Sequence, residues 1–290
     1  MTAGSPPAPP APAAPAAEVP AAPGLPSARP GFGRLIQAEW TKIRSVRSTV
    51  WTLIIFVVVT VGFTALFTWL TEANWNGPHA AARDARVAGD PISFILGTGI
   101  GLGQLTICVL GALLITTEYS SGVIRASLLA VPRRLPMLAA KCIVFAALLI
   151  VIAEIIVFAS FFVGSAIIHP HVQVSLSDPG VTRAVAGAGL YLTVLGLFAL
   201  AIGALIRHTA AAIASVIGIV LVLPILSGLL PGSWGAHING YLPEQAGSLI
   251  TRTHAESGQV LSPWQGFGVF CAWTALLLIV AGYLLNRRDA

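Results

Sequence analysis

Six long apolar runs dominate this chain, and each is long enough to cross a membrane. A hydrocarbon core of ~30 Å needs about 20 consecutive apolar residues in a helix. Runs of that order occur at about residues 50–70, 94–117, 142–168, 184–206, 209–230 and 264–285. The fourth and fifth are separated only by Arg207, His208 and Thr209. Arg and His are too costly to leave at membrane depth, so a tight surface turn is expected there. The composition agrees: 56% of the 290 residues are hydrophobic and only 9% are charged, against ~25% charged in soluble domains. An ordinary soluble protein is excluded, as is a chain disordered throughout. The expected fold class is an all-α membrane protein with six transmembrane helices.

Residues 1–33 belong to a different polymer, with ten of the 20 prolines, about ten alanines and only Glu18 and Arg29 charged. Such Pro/Ala sequence stays extended and buries no core, so it is read as a disordered cytoplasmic tail, a binding role being the alternative. Residues 34–290 form the membrane domain. With the N-terminus inside, twelve of the 16 bases face the cytoplasm, and only Arg83, Arg86, Arg183 and Arg252 lie outside. By the positive-inside rule both termini are cytoplasmic and the chain is multi-pass in the cell membrane. The net charge of +5 then follows from topology, without a nucleic-acid partner. Cys108, Cys142 and Cys271 lie within or at the edge of spans and have no metal-ligand or disulfide spacing. No metal, cofactor or catalytic set is expected.

Two inner segments carry the remaining charge. In residues 34–49, Leu35, Ile36, Trp40, Ile43 and Val46 fall, with Val50, within an arc of about 140° on a helix. Glu39 and Arg47 intrude on or border that arc. One reading is an amphipathic interfacial helix, with Trp40 at the headgroups and bases such as Lys42 and Arg44 toward anionic membrane lipid. The other is a plain basic flank that only sets topology. Between the second and third runs, residues 118–141 read as a short helix over 123–130, stopped by Pro132 and flanked by Glu118, Arg125, Arg133, Arg134 and Lys141. Two serines before Gly122 are suited to cap its start. It resembles a docking element for another protein; bases merely obeying the inside rule are the alternative.

These segments, E-W-T-K-I-R-S-V-R-S at 39–48 and E-Y-S-S-G-V-I-R-A-S-L-L-A-V-P-R-R at 118–134, resemble actinobacterial ATP-binding-cassette export permeases of the type-two class. Arg207-His208-Thr209 with Pro224 downstream, Tyr241-Leu242-Pro243 and the closing Arg287-Arg288-Asp289-Ala290 extend the likeness over residues 34–290. The resemblance implies a permease domain that dimerises, as homodimer or heterodimer, and rests on two separate ATPase subunits. It implies a cytoplasmic coupling helix around 122–131, with Glu118, Tyr119, Gly122 and Arg125 as its motif and Arg133 and Arg134 as flanking contacts. It also implies short re-entrant helices within 231–263. The chain has no long segment for a folded ectodomain between its first two runs.

Inside the membrane, Glu154 is the only carboxylate in a run. It lies about 20 Å beyond Lys141 along a helix, near mid-bilayer. A charge there costs at least ~2.5–3.5 kcal/mol, so a neutral acid bonded to a Ser, Thr or Tyr of another helix is expected, in a structural or a transport role. Gly97, Gly99, Gly101 and Gly103 are read as close helix-packing positions, since no Gly-Lys-Ser/Thr follows. Pro224 is expected to kink or end the fifth span and is a hinge candidate. An ion-driven secondary transporter is a rival reading, weakened by the single intramembrane acid. An intramembrane enzyme built on Glu154, His169 and His171 is a second rival, and it lacks a third ligand at metal spacing.

Overall fold

The computed structural model describes residues 31–78, 80–122, 134–229, 233–254 and 259–287. Among these there are helices and no strands. In chain order they are α1 (Phe32–Ser45), α2 (Arg47–Ala73), α3 (Ala80–Gly89), α4 (Pro91–Ser120), α5 (Arg134–Ile168), α6 (Val181–Ile206) and α7 (Thr209–Ile217). A π turn (Gly218–Val222), α8 (Leu223–Gly228), α9 (Ser233–Gly240), α10 (Pro243–Ser248), a 3-10 turn (Leu249–Thr251) and α11 (Pro263–Arg287) complete the described elements. Six segments are long and apolar enough to span a membrane: α2, α4, α5, α6, residues 209–228 and α11. They coincide with the six runs to within a few residues, except that α5 starts at Arg134, two turns before the run at 142.

The spans alternate in direction, and α6 lies at the centre against α4, α5, α7 and α11. Glycines set the closest approaches. Gly111 of α4 lies against the Gly196 carbonyl of α6, and a Cβ at Gly203 would lie 2.7 Å from Ile115 and 3.1 Å from the Ala112 carbonyl oxygen. The four glycines of early α4 split into two kinds. Gly99 and Gly103 are filled by Thr64 and Thr60 of α2, as close packing requires, whereas a Cβ at Gly97 or Gly101 would meet nothing within 4 Å. Among the described residues one pair therefore packs as expected, and the other faces open space.

The turn expected at 207–209 is present. Arg207 adopts a left-handed conformation at φ 62° and its N–H bonds to Gly203 O, closing α6, while His208 Nδ1 accepts from Ala211 N and opens α7. The amphipathic segment is shorter than its sequence pattern: the helix breaks at Val46, which has extended backbone angles, so residues 47–49 begin α2. It also starts at Phe32, inside the segment assigned to the tail. Residues 1–30 and 123–133 lie outside the described residues, including the short helix expected at 123–130, Arg125 and Arg133.

The long segment before α11 carries α9 and α10, the expected short helices. Pro243, Ala246 and Gly247 of α10 are buried, with Gly247 pressed on Phe270 and Gly266 on Ala246. Asp90 caps α4 by accepting from Ile92 and Ser93 N–H, and it also accepts from Thr253 N at 3.0 Å and Thr253 Oγ1 at 2.7 Å. One carboxylate thus ties this segment to α4 at the end of the bundle opposite α1.

Candidate coupling site

Four ionisable residues at the α1 end, Glu39, Lys42, Glu118 and Lys141, meet in one cluster. Lys141 Nζ donates to Glu39 Oε2 at 2.6 Å and to Glu118 Oε1 at 2.8 Å, although it is only 1% exposed. Lys42 Nζ reaches Glu39 Oε1 at 2.7 Å and Glu118 Oε1 at 3.3 Å. Two acids and two bases cancel, and direct hydrogen bonds offset the desolvation cost that an unmatched buried charge would carry. Burial by itself would raise the Glu39 carboxyl, but the Lys141 ammonium, with Lys42, holds it below the ordinary carboxylate range. Burial would lower Lys42, and its bond to Glu39 with the charge of Glu118 raises it instead.

This explains the acid that spoils the apolar arc of α1. Glu39 and Ile43 are the buried residues of that helix, so its inward face is built around an ion cluster as well as apolar packing. Trp40 and Arg44 are exposed, as an interfacial role requires, whereas Lys42 turns toward Glu39 and Glu118. Beside the cluster, α1, α2 and α4 enclose a cavity of about 740 Å³ with Lys42, Glu118, Thr52 and Leu114 in its walls.

Glu118 and Lys141 also flank the connector between α4 and α5. The helices extend further than the apolar runs, so the connector shrinks to residues 121–133. Gly122 is left-handed at φ 71°, and its N–H bonds to Tyr119 O. Ser120 and Ser121 hydroxyls both donate back to Thr117 O. The serines and the glycine therefore terminate α4, a residue free of Cβ strain being what such a terminus needs; the helix start they were expected to cap lies outside the described residues. Tyr119 lies under the Arg207 guanidinium at 5.1 Å, joining this terminus to the α6–α7 turn. Arg134 Nη1 donates to Leu285 O at 2.7 Å, tying the start of α5 to the end of α11.

Glu154 departs from its expectation. It forms no bond to a hydroxyl of another helix: its Oε2 is buried without a hydrogen-bond partner among the described residues. The carboxyl rests on α6 at Gly189, where a Cβ would lie 2.5 Å from Glu154 Cδ. Pro224 stands just after the π turn and is buried. Widening the helix before a proline relieves the clash of its ring with the preceding turn, so the irregularity lies upstream of Pro224.

A family model for ABC-2 family transporter proteins matches residues 35–230, about two thirds of the chain. The chain belongs to the ABC-2 transporter family. As an ABC-2 permease it is a multi-pass membrane protein and a transport component. The match takes in α1, the ion cluster, the connector and Pro224, and stops before α9. No curated protein matches the permease.

Proposed function

We propose that this permease is the membrane subunit of an ATP-driven exporter of the cell membrane, paired with a second, identical or related, permease subunit on a dimer of separate ABC ATPases. Both termini and the α1 end face the cytoplasm, in keeping with the concentration of bases there. The connector at 121–133 docks on the ATPase, with Glu118, Tyr119, Gly122, Arg125, Arg133 and Arg134 as the coupling residues. The supporting observation is the ion cluster: Glu118 and Lys141, on either side of the connector, are bonded to each other and to α1. A displacement of the connector by closing ATPases is thereby passed to α1 and α5 together. ATP hydrolysis belongs to the partner, and this chain supplies the pathway.

Gly122→Pro is expected to uncouple the complex. Proline fixes φ near −65° and removes the N–H, whereas Gly122 is at φ 71°. Arg125→Glu inverts a proposed contact. Each variant should insert normally but lower transport-linked ATP hydrolysis at least tenfold in proteoliposomes containing the ATPase. If copurified ATPase and transport both stay at wild-type levels, the docking assignment is wrong.

Glu154, whose buried Oε2 has no hydrogen-bond partner among the described residues, is assigned to a polar contact with substrate or the second subunit. Glu154→Gln should lower efflux several-fold at equal membrane abundance. Unchanged efflux would leave it a packing residue against Gly189.

A further inference from the structure

At the end of the bundle opposite α1, α4, α6 and α10 enclose a polar pocket of about 340 Å³. On one side the buried Tyr191 hydroxyl donates to Gln104 Oε1 at 2.7 Å. On another stands Glu244, which makes no hydrogen bond or ion pair among the described residues. Burial pushes its carboxyl up to about 7, although the charge of Arg252 acts the other way. A largely buried acid without a bonded cation is satisfied most directly by a donor from outside.

The pocket adjoins a wider one. Ser93, Gly97 and Arg252 also line a cavity of about 860 Å³, whose walls add Arg86 and His254. The side chains of Arg86 and His254 make no hydrogen bond or ion pair among the described residues. The inner chamber thus holds Glu244 with Arg252 at the passage between the two, and the outer one holds Arg86, Arg252 and His254 beside Asp90, whose carboxylate is already bonded to the start of α4 and to Thr253. Gly97 and Gly101, the two α4 glycines that meet no neighbour, lie along this cavity system. Packing among the described helices does not require glycine at either position, and its absence of a side chain leaves the space open.

We propose that the two chambers form a binding site for a zwitterionic headgroup, with a primary ammonium donating to Glu244 and an adjacent anionic group held by Arg86, Arg252 and His254. A plain cation would meet the arginines first, and a plain anion would be repelled by Glu244 once inside. Only a group carrying both charges matches both chambers. That the site serves the transported substrate rests on the export reading above; binding itself does not.

The test uses the purified full-length permease in detergent micelles, titrated with short-chain phosphatidylethanolamine and followed by native mass spectrometry. Saturable binding is expected, weakened at least tenfold by Glu244→Gln or Arg252→Gln, and abolished by Gly101→Leu, which fills the pocket. Each variant is first checked for a monodisperse elution profile. Free phosphoethanolamine binding as well as the lipid supports the site with a soluble ligand; binding of the lipid alone supports it with a membrane ligand. Equal binding of phosphatidylglycerol, full binding by the Glu244→Gln variant, or no saturable binding of either probe overturns it. Loss of ATPase coupling with binding intact removes the export reading and spares the site, and the reverse outcome removes the site alone.

Discussion

Lys141→Met is expected to destabilise the permease by about 3–5 kcal/mol, the usual result of removing one partner from a buried ion pair. Lys141 is almost fully buried and bonds both Glu39 and Glu118. Without it, two carboxylates share Lys42, whose side chain is 34% exposed and lies 3.3 Å from Glu118. The loss falls on the attachment of α1, so α1 should become sensitive to protease in micelles while the apolar bundle stays resistant. The thermal unfolding midpoint should fall with it. A variant that also carries Glu39→Gln and Glu118→Gln removes the stranded charges and should regain most of the stability. If the cluster also transmits the ATPase stroke, that neutral triple variant stays poorly coupled despite being folded. A Lys141→Met protein with wild-type melting and an intact α1 would remove the cluster from any structural or coupling role.

This cluster marks the boundary of what sequence patterns convey. Spans are legible because hydrocarbon thickness demands a run of fixed length, and that demand is local. The start of α5 was hidden because Lys141 ends the apolar run, yet the helix continues through it, the charge being neutralised by residues far away in the chain. Pro136 does not prevent this, since it lies in the first turn, where an N–H has no helical partner. Glu39 was visible only as a flaw in the arc of α1, because its partner Lys141 is 102 residues away and periodicity carries no such pairing. The break at Val46 has no Gly or Pro to announce it. No local pattern marks Glu244, because its burial depends on α10 packing against α6 and α11.

The α4 glycines show the same limit, and they yield the second large effect. Gly111→Val is expected to prevent a folded bundle or to cost at least ~3 kcal/mol, the upper range for overpacking. Its Cβ would collide with the Gly196 carbonyl of α6 and lie 2.8 Å from Ala199 Cβ. The first obstacle is backbone, so no rotamer change relieves it, and α6 is held on its other sides by α5 and α11. Gly97→Val on the same helix should leave folding unchanged, because nothing lies within 4 Å of its Cβ. Both changes add the same apolar volume and raise hydropathy equally, so membrane insertion is matched and only helix approach differs. Yield of monodisperse protein by fluorescence-detected size exclusion, followed by melting in micelles, separates them. Equal behaviour of the two variants would mean that close α4–α6 contact does not hold this bundle together. Loss confined to Gly111→Val would identify α6 as the axis on which the other spans are packed, with side-chain size setting the architecture that hydropathy alone leaves open.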